Sequence, residues 1–183
     1  MQAAQGTAFE VQAVVPTADQ MRSLGQRLAS LLLAGDLVLL SGPLGAGKTT
    51  LAQGIGAGLG VRGPVTSPTF VIARVHPSQR GGPDLVHADA YRLGSRAEVD
   101  DLDLDADTDS AVTVVEWGEG LVEDLAASML AVTIERPGGG EPAAIETGAD
   151  QDEPRAVRIT GWGARWAEAE SAVRAALSGA ATP

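Results

Sequence analysis

Gly42-Pro43-Leu44-Gly45-Ala46-Gly47-Lys48-Thr49 fits G-x-x-x-x-G-K-[ST], a pattern in which every fixed position has a physical task. Converging backbone N–H groups cradle phosphates, and the glycines permit the positive φ angles that this convergence demands. A helix starting at the end of the loop aims its positive end at the same anion. Lys48 is then expected to bridge the β- and γ-phosphates of a nucleotide, and the Thr49 hydroxyl to ligate Mg²⁺. The pattern requires a strand before it and a helix after it. Asp36–Leu40 is a short apolar run fitting a strand buried on both faces, and Lys48–Leu59 fits the helix.

Working outward, Phe9–Val15 reads as an opening strand, and Thr17 as the N-cap of a helix carrying Met21, Leu24, Leu28, Leu31 and Leu32. Gly54, Gly56 and Gly58 each cost the second helix about 1 kcal/mol against alanine, so they are expected to permit close packing on the sheet. Phe70–Val75, Leu85–Ala90 and Ala111–Val115 read as strands, the last two ending in or just before an acid. Ser95 and Glu98 have capping-box spacing for a short helix. Met129–Glu135 and Ala156–Thr160 are expected to pair antiparallel around a mobile Gly/Pro-rich loop at Pro137–Pro154. Trp162–Leu177 is expected to close the chain as a helix. This alternation predicts a single α/β domain over residues 1–183: a P-loop NTPase three-layer sandwich whose mostly parallel central sheet has antiparallel edge strands.

Composition narrows the chemistry. The 183 residues suffice for one core but not two, and the formal net charge of −11 repels phosphodiester backbones. Contact with RNA is therefore expected only indirectly, through a partner. The absence of cysteine excludes disulfides, thiolate metal sites and a cysteine nucleophile, and two histidines do not make a His-rich zinc site. Residues Met1–Glu10 show no basic patch followed by an apolar run, and the apolar stretches near Leu31–Leu33 and Leu37–Leu40 are too short to span a bilayer. A cytoplasmic protein with no membrane contact is the expectation. Lys48 is the sole lysine beside twelve arginines, so the one compact ammonium sits where a phosphate loop uses it. For the same reason an N-K-x-D guanine motif cannot exist here.

A phosphate-loop site also needs acids at neighbouring strand ends, to hold Mg²⁺ or orient water. Asp89 and Glu116 qualify, each placed directly after an apolar run. Together with Lys48 they form the candidate catalytic set, although a strand-ending charge is also a common solvated feature. Thr66-Ser67-Pro68-Thr69 lies where a γ-phosphate sensor is expected, and Trp117, directly after Glu116, reads either as core or as a neighbour of the nucleotide. Gly58-Leu59-Gly60-Val61-Arg62-Gly63 matches G-x-G-x-x-G but follows a helix, so it reads as a helix C-cap and loop. The Asp-rich run from Asp100 to Asp109 lacks the glycine and terminal glutamate of an EF-hand and reads as a solvated acidic loop.

Taken together, the phosphate loop with Thr50, Ser67-Pro68-Thr69-Phe70, His87-Ala88-Asp89-Ala90-Tyr91-Arg92-Leu93 and Val115-Glu116-Trp117 resemble the TsaE (YjeE) family of bacteria, in order and spacing, from about residue 9 to 160. The resemblance implies an ATPase subunit of the machinery that makes threonylcarbamoyladenosine in tRNA, weakly active alone and working with a threonylcarbamoyl transferase and its paralogous partner. It implies ATP and Mg²⁺ as cofactors, with Thr49 and Glu116 on the metal. Nucleotide contacts would come from Gly45, Ala46, Gly47, Lys48, Thr49, Thr50 and Asp89, with Ser67 and Thr69 in a switch-like loop. Thr17-Ala18 would border the adenine, Trp117 would lie beside the nucleotide, and Arg155 would reach it from a late strand. Departures from the family pattern are Pro43, where aspartate is usual, and Pro154, where glycine is usual. The residues alone leave two other readings open, a free-standing small-molecule kinase and a nucleotide-dependent binding switch.

Overall fold

The computed structural model describes residues 6–68, 72–93, 95, 98, 110–123, 125–136 and 153–181. Its elements run β1 (Thr7–Val15), α1 (Ala18–Ala29), β2 (Leu37–Ser41), α2 (Lys48–Leu59), β3 (Ala73–His76), β4 (Asp84–Asp89), β5 (Ala111–Glu116), β6 (Met129–Glu135), β7 (Arg155–Trp162) and α3 (Glu170–Ala181), with a single 3₁₀ turn at Ala164–Trp166 before α3. Seven strands form one sheet in the order β1-β7-β6-β2-β5-β4-β3. The four central strands, β6-β2-β5-β4, are parallel; β7 on one side and β3 on the other run against them, and the edge strand β1 pairs antiparallel with β7. The α/β class, the parallel centre and the antiparallel edges agree with the expectation.

Burial follows from position in the sheet. In β2 and β5 every residue is buried, because both faces of a central parallel strand are covered. β1, at the edge, alternates buried and exposed positions. One face carries the main core: Val38, Leu40, Val112 and Val114 from the sheet against Leu24, Leu28, Leu51, Ile55, Trp166 and Leu177 from the helical side. The other face gathers Leu37, Leu39, Val86, Ala88, Val115 and Met129. Among the described residues it is covered by the chain after β5, where Val122 is buried and Leu121 and Leu125 pack beside it.

Of Gly54, Gly56 and Gly58, expected to permit close packing on the sheet, one does so and two face the neighbouring helix. A Cβ on Gly54 would lie 2.2 Å from the Arg22 carbonyl oxygen, and one on Gly25 would lie 2.4 Å from that of Leu51. Gly58 similarly faces Gln26 and Ala29, so the backbones of α1 and α2 touch along this seam. Only Gly56 looks toward the sheet side, against Val65 and Leu85. Alanine at Gly54 would gain about 1 kcal/mol of helix propensity but meet a backbone oxygen that cannot step aside. Gly54→Ala is therefore expected to lower the unfolding free energy by about 2 kcal/mol in urea denaturation.

Several boundaries move. β7 extends through Trp162, and the last helix starts at Glu170 rather than Trp162. The reason is Gly161: it pairs with Leu130 on one side and lies opposite Phe9 on the other, and a Cβ there would sit 2.4 Å from the Phe9 ring. Gly163, at φ 79°, then turns the chain out of the sheet. Asp36, just before β2, is buried but fully engaged, accepting from Leu33 N–H at 2.8 Å and from Arg165 Nη2 at 2.9 Å. β3 begins at Ala73, because Ile72 adopts φ 70°, unfavourable for a β-branched residue and incompatible with a strand. The expected turn at Gly60 holds: it caps α2 in the left-handed region, with N–H bonds to Ala57 and Gly56. The expected acidic loop at residues 100–109, most of the loop at 137–154 and most of the short helix near Ser95 fall outside the described residues.

Candidate nucleotide site

The site is assembled where three parallel strands end together. β2 runs into the phosphate loop, and in the register of the sheet Leu40 and Asp89 both lie opposite Glu116. This is the C-terminal edge of a parallel sheet, where α/β folds open a crevice. Gly42, Gly45 and Gly47 take φ angles of 140°, 75° and 110°. At Gly42 a Cβ would lie 2.2 Å from the Ile134 carbonyl oxygen, so both the angle and the space require glycine. Gly47 is the N-cap of α2 and supplies no side-chain cap, which leaves the first-turn N–H groups directed at the loop's hollow.

Lys48 is 4% exposed and turned back on its own loop, donating to the carbonyls of Gly42 at 2.7 Å and Pro43 at 2.9 Å. Its ammonium also lies 3.8 Å from the centroid of the Trp117 ring. Burial pushes the Lys48 ammonium below its ordinary value, and the carboxylates of Glu116, Asp89 and Glu119 pull it back in part. Trp117 itself adopts φ 61°, a strained geometry for a large side chain. It is held by its N–H to the Leu40 carbonyl at 3.2 Å, by Lys48 and by an edge-on contact with Tyr91 at 5.2 Å.

The Thr49 hydroxyl donates to Glu116 Oε1 at 3.0 Å, with Oε2 at 3.3 Å, joining the first turn of α2 to the end of β5. Glu116 and Asp89 are both buried, at 3% and 5% exposure. Asp89 Oδ1 accepts the Tyr91 N–H at 2.9 Å. The Asp89 N–H donates to the Ile72 carbonyl at 2.7 Å, and the Ile72 N–H to Pro68 at 2.7 Å. That chain of bonds ties the loop carrying Ser67 to the end of β4. Ser67 is exposed, and Thr69 lies outside the described residues.

On the other side of the loop, Thr17, Ala18, Gly45, Ala46, Gly47, Thr50 and Arg155 line one pocket of about 70 Å³, together with Met21 and Glu153. Thr17 caps α1, accepting the Gln20 N–H at 3.2 Å, which fixes this rim. Arg155 is 7% exposed, lies 2.8 Å from Glu153 and reaches the Gly45 carbonyl with Nη2 at 3.5 Å. Arg136, at the end of β6, shares Glu153 at 3.5 Å. Thus the sequence-predicted residues divide into two sets on either side of the loop. Lys48, Thr49, Asp89, Glu116 and Trp117 meet at the strand ends, and the others of the described set, Ser67 apart, meet at the α1 side.

Met21, Arg136 and Glu153 are additions. Met21 reads from its spacing as a core residue, which it also is, and Glu153 lies in what reads as loop. Arg136 and Glu153 are neighbours only because β6 and β7 pair, a relation that linear spacing does not display.

The donor set suits Mg²⁺. Hydroxyl and carboxylate oxygens are its usual protein ligands, and two buried carboxylates supply the charge. Among the described residues no three acidic or His side chains gather to hold a metal unaided. Backbone donors from the start of α2, with Lys48, likewise match a polyphosphate.

Comparison with known proteins points in one direction. The family model described as "Threonylcarbamoyl adenosine biosynthesis protein TsaE" matches residues 15–141. A relative from Streptomyces coelicolor, named tRNA threonylcarbamoyladenosine biosynthesis protein TsaE, is 59% identical over 156 residues, covering 85% of this chain and 99% of the relative. One of the same name from Mycobacterium tuberculosis is 53% identical over 131 residues, covering 68% of this chain and 78% of its own length. The crystal structure of Bacillus subtilis YdiB superposes with a TM-score of 0.67 at 25% identity, covering 93% of this chain and 96% of that one.

Proposed function

Since the chain belongs to the TsaE family, we propose that it is the ATP-binding and ATP-hydrolysing subunit in the formation of threonylcarbamoyladenosine in tRNA. The observation that carries this reading is the hydrogen bond from Thr49 to Glu116, formed across the mouth of a lysine-bearing phosphate loop. It brings a hydroxyl, a buried carboxylate and an ammonium to the open N-terminus of α2, the donor set for a metal-bound nucleoside triphosphate.

In this reading the N–H groups from Gly45 to Thr50 receive the phosphates, and Lys48 exchanges its carbonyl partners for phosphate oxygens. Thr49 and Glu116 would hold Mg²⁺, which would supply charge neutralisation of the phosphates. Asp89, facing Glu116 across the sheet, orients the attacking water or holds the metal's hydration shell. Lys48, Asp89 and Glu116 form the catalytic set. Ser67 and Thr69 belong to the loop that senses the terminal phosphate, and the strained Trp117 holds Lys48 in place. Thr17, Ala18 and Arg155 border the base and sugar. Arg155→Ala is expected to weaken ATP binding about tenfold while leaving turnover at saturating ATP near wild type, read by titration calorimetry and steady-state kinetics.

We place the protein in the cytoplasm, beside a threonylcarbamoyl transferase and its paralogous subunit; no helix among the described residues is long and apolar enough to cross a membrane. With a net charge of −11, the chain would meet tRNA only through those partners. The test is reconstitution of tRNA threonylcarbamoylation from the transferase pair and preformed threonylcarbamoyl-adenylate, with the chain, without it, and with Lys48→Ala. Multiple turnovers that need the wild-type chain and fail with the variant support the role. If the chain makes no difference while still binding Mg-ATP, the assignment to this pathway step is wrong.

A further inference from the structure

One buried polar side chain has no part in the scheme above. His87 is fully buried on β4, two residues before Asp89, and so shares its face of the sheet. In register it lies opposite Val114, two residues before Glu116. Its Nε2 is 2.9 Å from Glu116 Oε1, between side chains only 0% and 4% exposed. An ionised carboxylate only accepts, so the proton on this contact belongs to Nε2. The same Oε1 accepts from Thr49 at 3.0 Å. Nδ1, by contrast, is buried with no hydrogen-bond partner among the described residues.

These facts argue against a purely packing role. An unsatisfied buried nitrogen is a cost, and a leucine would fill this strand position without it. What the imidazole adds is a donor aimed at one carboxylate oxygen. A glutamate side chain has three rotatable bonds, and Thr49 alone, on the neighbouring helix, does not fix the carboxylate plane. We propose that His87 is a positioning residue: by donating from Nε2 to Oε1 it holds the Glu116 carboxylate toward Thr49, in the orientation that receives Mg²⁺. The effect is that of outer-shell partners that orient metal ligands in other sites. It rests on Glu116 being a metal-holding group.

The test measures the affinity of the full-length chain for a non-hydrolysable ATP analogue, adenylyl imidodiphosphate, by calorimetry with Mg²⁺ and with chelator. The ratio of the two affinities is the readout. His87→Leu is expected to reduce the Mg²⁺ enhancement about tenfold while leaving the chelator value unchanged. His87→Gln places an amide nitrogen the same number of bonds from Cβ as Nε2 and is expected to restore the enhancement. His87→Asn falls one bond short and is expected to behave like His87→Leu. If His87→Leu does not fold, the contrast between the Gln and Asn variants decides the matter alone. Full enhancement in His87→Leu or His87→Asn, or loss in His87→Gln as deep as in those variants, overturns the proposal. A Glu116→Gln control separates the two layers: if it keeps the wild-type enhancement, the metal role of Glu116 itself is wrong. If it loses the enhancement while His87→Leu does not, only the positioning role falls.

Discussion

Replacing Lys48 by alanine is expected to lower ATP affinity about 100-fold, measured by calorimetry on purified protein. The magnitude follows from the environment. Lys48 as a residue is 4% exposed, and burial already depresses its pKa, so its charge acts in a medium that screens it less than water. No other lysine exists to substitute, and arginine cannot replace it as a compact charge inside the loop. Folding should suffer far less, because truncation also removes the cost of burying a cation. The carbonyls of Gly42 and Pro43 lose a donor, but Pro43 still accepts the Ala46 N–H at 3.1 Å. A Lys48→Ala protein that is folded by circular dichroism and binds ATP as wild type would place the nucleotide elsewhere.

The second large effect is expected at Glu116. Glu116→Ala should reduce Mg²⁺-dependent ATP turnover by roughly 100-fold, with metal-free nucleotide affinity unchanged or slightly raised, since a negative charge leaves the phosphate site. The variant also strips the acceptor from the half-buried Thr49 hydroxyl and from the fully buried His87 Nε2. Leaving the buried His87 donor unmet costs about 1–3 kcal/mol, so a lower thermal midpoint should accompany the loss. Glu116→Gln keeps the shape and an acceptor oxygen, and separates the two contributions: it should recover stability but not turnover. Wild-type turnover in Glu116→Gln would mean that the carboxylate charge is not used.

The phosphate loop was legible from sequence because its function is a backbone conformation, and only glycine at Gly42, Gly45 and Gly47 permits that conformation. Asp89 and Glu116 were legible because an acid directly after an apolar run marks the end of a buried strand. His87 was not. It enters the sequence only as part of the block His87–Leu93, and the register with β5 reveals that it faces Glu116. Arg136 and Glu153 escaped for a similar reason, being far apart in sequence but brought together by a strand pair. The sequence does not mark the start of the C-terminal helix at Glu170, because Trp162 to Trp166 has no periodicity that distinguishes strand from helix. What keeps it in the sheet is the contact of Gly161 with Phe9, some 150 residues away.

The facing of Asp89 and Glu116 across β4 and β5 has a consequence for how the site tolerates error. Side chains alternate along a strand, so a slip of one residue between these two would swing His87 and Asp89 to the far face. There they would meet Val86's neighbours, Val115 and Val122, instead of the loop, while Val86 and Ala88 would turn toward Lys48. Methyl groups remote from any phosphate therefore proofread the chemistry. Leu85, Val112 and Val114 on one face and Val86, Ala88 and Val115 on the other disfavour such a one-residue slip, which would misplace the acids.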